Sequence, residues 1–178
     1  MEKKLIVKTT SVFVVLCIAL IFMKSLVHAQ DMVAGPKTFN GYVFGETPRH
    51  MSAWTKIKHK NGINFFVNPD ETYTLGDTTP LVVYGVTNRK LYSVYVEVKS
   101  AKILADLYNE LTEKYGQAEE SQEGNVEIYR FKDNLLKIKL KYNKEGQSMK
   151  IAYYFIPSEL ETSIPLHKMA DEAFDELQ

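Results

Sequence analysis

The spacing of hydrophobic residues changes along the chain, and each change predicts a different element. Val12 to Met23 form an unbroken run of twelve apolar side chains behind Lys3, Lys4 and Lys8. Beyond Gly35-Pro36 the runs shorten and the period falls to two, the repeat that sends alternate side chains to opposite faces of a strand. Phe39 to Gly45 predicts a short strand, with a helix start at Thr47-Pro48 leading over Arg49 to Trp54. Trp54 to His59 and Ile63 to Val67 flank Lys60-Asn61-Gly62, and Asn-Gly supplies the positive φ angles of a tight hairpin turn. Asn68 to Pro80, rich in Asp, Thr, Pro and Gly, predicts a loop. Leu81 to Val86 and Leu91 to Val98 then predict a second hairpin around Thr87-Asn88-Arg89-Lys90.

After Ser100 the period lengthens. Ile103, Leu104, Leu107, Tyr108, Leu111 and Tyr115 recur every three or four residues, with Ser100 as the expected N-cap and Gly116 as the stop. Asn125 to Phe131, Leu135 to Tyr142 and Ser148 to Ile156 return to period two and predict a three-stranded meander. Ser163 and Pro165 open a last helix over residues 164–177, with Leu166, Met169, Ala170, Ala173 and Phe174 on one face. The expected fold class is α+β. An antiparallel sheet of hairpins ends in a C-terminal meander, and the central and C-terminal helices pack on one side of it.

The N-terminal run is too short for a membrane span, which needs about 20 apolar residues, but it fits the h-region of a signal peptide. Lys24 interrupts it, and Val27 and Ala29 supply small side chains ahead of a cleavage site. The expectation is a signal peptide over 1–29, a linker over 30–37 and one domain over 38–178, exported to the periplasm or the exterior. The alternative is an uncleaved N-terminal helix that anchors the same domain outside. The motifs Phe39-x-Gly41-x-x-Phe44-Gly45 and Leu111-x-x-Lys114-Tyr115-Gly116 resemble small exported bacterial proteins of uncharacterised function. That resemblance implies a β-rich α+β fold in the cell envelope and brings no catalytic residues with it.

Charge sharpens the picture. The chain has 22 basic and 22 acidic residues, but without the first 29 it keeps 18 against 21 and is mildly acidic. Such a balance argues against a nucleic-acid binder. The only cysteine, Cys17, lies in the apolar run, so the domain is expected to have neither disulfide nor thiol nucleophile. No Gly-x-Ser-x-Gly elbow, phosphate loop or dinucleotide fingerprint occurs, and no cofactor is implied. His50, His59 and His167 lack the i, i+4 spacing of a helical zinc pair, and Asp70, Glu71 and Asp77 lack the alternation of a calcium loop. No catalytic or metal-binding residue is therefore assigned.

The most specific pattern is electrostatic. Lys137, Lys139 and Lys141 alternate with Leu136, Ile138, Leu140 and Tyr142, so the lysines share one face. A four-residue turn at Asn143 to Gly146 would set Lys139 opposite Lys150, and a two-residue turn at Asp133-Asn134 would set Arg130 opposite Lys137. Five cations on one face repel one another and need an offset: solvent, an anionic partner, or the acids Asp171, Glu172, Asp175 and Glu176 of the last helix. Tyr95, on the face away from Val94 and Val96, is a candidate exposed ring for stacking on sugars or peptides. The combined expectation is a non-catalytic envelope domain that binds a protein or an anionic polymer through Arg130, Lys137, Lys139, Lys141, Lys150 and Tyr95. The alternatives are an envelope enzyme built from scattered carboxylates and histidines, or a structural subunit of an envelope complex.

Overall fold

A computed structural model describes residues 37–158 and 166–175, all within the unit Pro36–Gln178. The expected signal peptide, most of the linker and the Ser163-Pro165 helix start lie outside the described residues. The described residues open with a small hairpin, β1 (Thr38–Phe39) and β2 (Tyr42–Val43). Asn40 and Gly41 take the positive φ angles of 44° and 79° at its turn, so the expected single strand is folded in two. A 3-10 turn at Met51–Ala53 leads to β3 (Thr55–Lys60) and β4 (Ile63–Val67), joined at Asn61-Gly62 with φ of 55° and 79°. Next come β5 (Leu81–Thr87) and β6 (Lys90–Val98), helix α1 (Leu104–Tyr115) and strands β7 (Glu119–Glu123), β8 (Val126–Lys132), β9 (Leu136–Asn143) and β10 (Ser148–Phe155). Helix α2 (Leu166–Asp175) closes the described chain.

Strands β3 to β10 form one antiparallel sheet in the order β3-β4-β5-β6-β10-β9-β8-β7. It consists of two four-stranded meanders that meet where β6 pairs with β10. The link between them must travel from mid-sheet to the far edge, and α1 makes that crossing over β8. There the Tyr108 ring lies 5.1 Å from Tyr129 and 6.0 Å from Phe131. Beneath α1 a core gathers Leu107 and Leu111 with Val94, Val96, Val98, Phe131, Leu136, Ile138, Leu140, Met149 and Ile151. Burying each such side chain is worth roughly 1.5–3 kcal/mol before entropy is charged against it. The N-terminal hairpin extends this layer with rings: Trp54 stands 4.6 Å from Tyr84, and Tyr42 5.1 Å from Trp54.

The two helices do not share a side. On β10, Met149 and Ile151 face α1, whereas Ala152 and Tyr154 pack with Ile63, Phe65, Val83, Tyr92, Tyr95 and Ala170 of α2. Because side chains alternate along a strand, the helices lie on opposite faces of the sheet. Two local features also differ from expectation. Ser100 is not the helix cap: its Oγ accepts from the Lys102 amide at 3.3 Å, and the helix starts after Ile103. Strand β7 carries no apolar alternation and is legible only through its pairing with β8.

A bulge breaks the regular alternation of β6. Val86 pairs with Leu91 and Gly85 with Ser93, so Tyr92 is the extra residue and turns to the α2 face instead of sharing a face with Val94. Gly85 stands opposite Ser93 beside the bulge, and a Cβ there would come within 2.1 Å of Ser93 Oγ.

Candidate anion-binding face

The alternation in β9 places its lysines as expected. Leu136, Ile138 and Leu140 are buried against α1, and Lys137, Lys139 and Lys141 emerge on the α2 face. The registers differ by two residues from those expected, which preserves the face and changes the partners. The Asp133 carboxylate accepts from the Leu135 and Leu136 amides, both at 2.7 Å, and widens that turn. Asn143 does the same for Glu145 and Gly146 at 3.0 and 3.1 Å. As a result Lys141 stands opposite Lys150, Arg130 opposite Lys139 and Lys132 opposite Lys137. Three like-charged pairs therefore lie directly across adjacent strands, an arrangement that destabilises a sheet unless opposite charge is supplied.

Helix α2 supplies it. Lys139 Nζ donates to Asp171 Oδ2, Lys141 Nζ lies 3.1 Å from Asp175 Oδ2, and Lys150 Nζ lies 3.4 Å from Asp175 Oδ1. The Tyr154 hydroxyl donates to the other Asp171 oxygen. Asp171 and Asp175 are one helical turn apart, the spacing that aims two side chains at one surface. Burial raises the pKa of the Asp171 carboxyl, and Lys139 and Lys141 only partly oppose it. At the sheet edge Arg130 Nη1 donates to Ser121 Oγ at 2.6 Å and faces Glu119 across the strands.

Along α2 the basic face opens into two clefts. The larger, about 360 Å³, lies at the His167 and Asp171 end. Among the described residues, Arg130, Lys132, Lys137, Lys139 and Lys168 line it together with Glu119 and Asp171, with His167 and Tyr154 beside them. The smaller, about 280 Å³, lies at the Asp175 end, where Lys141 and Lys150 meet Glu97, Glu123 and Asp175. The five expected cations are thus on one face but serve different ends. Lys141 and Lys150 hold α2, Arg130 and Lys137 line the larger cleft, and Lys139 belongs to both groups. Lys132 and Lys168 were missed as site residues. The true β8–β9 register would have found Lys132.

Tyr95 is not an exposed ring. It is fully buried, 6.0 Å from the Phe65 ring and 5.9 Å from that of Tyr154, and burial raises its hydroxyl pKa well above the ordinary tyrosine value. The face opposite Val94 and Val96 is itself a core, because α2 and its neighbours cover it.

Other candidate groups are drawn into structure. Glu71 accepts from Asn40 Nδ2 at 2.6 Å, from the Thr72 and Tyr73 amides at 3.0 and 2.9 Å, and from the Tyr84 hydroxyl. It ties the N-terminal hairpin to the loop and to β5, and its oxygens are spent there. His50 adopts a left-handed conformation before the 3-10 turn, His59 meets Asn64 at 2.8 Å on β3, and the His167 ring stands 6.2 Å from that of Tyr154. Among the described residues, no three His, Cys, Asp or Glu side chains gather as a metal site. No described helix is long and apolar enough to cross a membrane. Compared with protein-family models, curated proteins and solved structures, the chain matches none.

Proposed function

We propose that this unit is a non-catalytic, exported binding domain of the bacterial cell envelope that takes an anionic group, carried by a polymer or a protein, into the cleft between β8, β9 and the first turns of α2. The observation that carries the reading is the gathering of Arg130, Lys132, Lys137, Lys139 and Lys168 around that concave site, at a place where the sheet already sets basic side chains face to face. A phosphate or carboxylate arriving there gains charge-assisted hydrogen bonds from Arg130, Lys132 and Lys168. The positive run in front of the apolar N-terminal segment supports export of the domain.

The test is binding of labelled polyphosphate and of polyglutamate to residues 30–178 at low and high salt. Exchanging Arg130, Lys137 and Lys168 for Gln should weaken association about tenfold at low salt, chiefly through the on-rate, and leave the melting temperature unchanged. Binding that ignores both salt and the triple exchange removes the proposal. The expected N-terminus is Gln30, and intact-mass analysis of envelope material checks it.

One observation favours the enzyme reading: His167 and Asp171 line the same cleft. His167→Gln that keeps binding but abolishes the cellular phenotype would support that reading.

A further inference from the structure

On the helix side of the larger cleft, one carboxylate sits among the cations. Asp171 lines the cleft, and one of its oxygens accepts from Lys139 Nζ while the other accepts from the Tyr154 hydroxyl. The two donors fix the carboxylate where β9 and β10 meet α2. Lys139 is itself one of the cations of the cleft. An anion that enters therefore meets a lysine with a carboxylate already on it, and meets the negative charge of that carboxylate as well. Glu119, the other described acid of the cleft, is an exposed residue of the edge strand, where water and salt screen it. The Asp171 side chain is only 16% exposed, so its charge acts on a ligand with less screening.

The surroundings make that charge easy to remove. β9 presents Lys139 and Lys141 to Asp171, β10 presents Tyr154 and Lys150, and Tyr95 of β6 feels its charge. On α2 itself His167 lies one turn before it and Asp175 one turn after. Arg130, Lys132, Lys137, Lys168 and Glu119 share the cleft with it. Burial raises the pKa of the Asp171 carboxyl, Lys139 and Lys141 only partly oppose this, and Asp175 adds to it. Protonation would cancel the charge and release Lys139 from its ion pair, with the Tyr154 hydroxyl still at hand as a hydrogen-bond partner.

We infer that Asp171 is a built-in competitor for the anion cleft, which binds anions weakly while this carboxylate is charged and tightly once it has taken a proton. The inference rests on the anion-binding reading above and names its regulation: binding strengthens as the medium acidifies and weakens as it returns to neutral. The coupling is reciprocal, so a bound anion makes Asp171 easier to protonate.

The test is binding of a sulfated oligosaccharide, whose sulfate esters stay ionised, to the full chain at low salt from about pH 7.5 to about pH 4.5. The unaltered protein should bind more tightly as pH falls. Asp171→Asn, which keeps the side chain neutral, should bind about tenfold more tightly than the unaltered protein at the neutral end and show a flatter pH profile. Asp175→Asn removes a charge from the same helix outside this cleft and should change affinity far less. Melting curves check that both variants fold. Without any substitution, a carbon-13 NMR titration of the Asp171 carboxyl should show its midpoint rise when the oligosaccharide is bound. No binding at any pH would overturn the anion-binding reading and this inference with it. The same affinity and pH profile with and without Asp171→Asn, equal gains from Asp171→Asn and Asp175→Asn, or a carboxyl midpoint that the ligand does not move would each overturn this inference alone.

Discussion

Among the described residues, α1 covers one face of the sheet and α2 the other, and they are held in different ways. On the α1 face, Leu107 and Leu111 insert among valines, leucines and aromatic rings, and the seal is hydrophobic. On the α2 face a smaller apolar patch around Ala170 is framed by Lys139, Lys141 and Lys150 paired with Asp171 and Asp175. Apolar packing is indifferent to salt and excludes ligands. An ion-paired seam yields to salt and leaves polar clefts along the helix, so the face that costs more to build is the one that can recognise charge.

The largest effect should come from the α1 face. Leu107→Ala removes a side chain 5% exposed and should cost about 2–5 kcal/mol, read from urea unfolding, with no dependence on ionic strength. On the α2 face, Asp175→Asn leaves Lys141 and Lys150 without the carboxylate they share and should cost up to about 1 kcal/mol at low salt, less as salt rises. Equal salt response in both variants would erase the distinction between the faces.

Acidity separates two carboxylates in opposite directions. Burial pulls the Asp133 pKa upward, but Lys37 and the amides of Leu135 and Leu136 outweigh it, and the net pKa is lowered. Its stabilisation is present above the ordinary carboxylate range and is lost as pH falls through the folded value. Asp133→Asn should therefore cost about 1 kcal/mol at neutral pH and flatten the acid limb of the stability curve. Asp171, raised by burial, runs the other way: its contribution is present below the ordinary carboxylate range and lost as pH rises through its folded value. Asp171→Asn should flatten that decline. The smallest stability effect, within about 0.5 kcal/mol, is expected for Arg130→Gln with Lys137→Gln, which is surface chemistry and not packing.

Much of this architecture is written in local pattern. Period-two alternation marks both hairpins and the meander, and the three-and-four spacing marks α1. What escapes is set by long-range pairing. β7 has the composition of a solvated loop and becomes a strand because β8 lies beside it. Tyr92 changes face through one inserted residue, and Tyr95 is buried by a helix more than seventy positions away. The basic face itself was legible, because a two-residue error in register preserves side-chain parity. Its division into a helix-holding group and a cleft was not, because that depends on where Asp171 and Asp175 dock.

The most direct test of the account is the melting temperature of the domain with and without polyphosphate at about 50 mM salt. A ligand that binds only the folded state raises stability by mass action. The account requires a concentration-dependent rise that disappears at about 1 M salt, where the screening length falls to about 3 Å. It also requires the rise to disappear when Arg130, Lys137 and Lys168 are exchanged for Gln. No rise, or a rise that the triple exchange leaves intact, would contradict it.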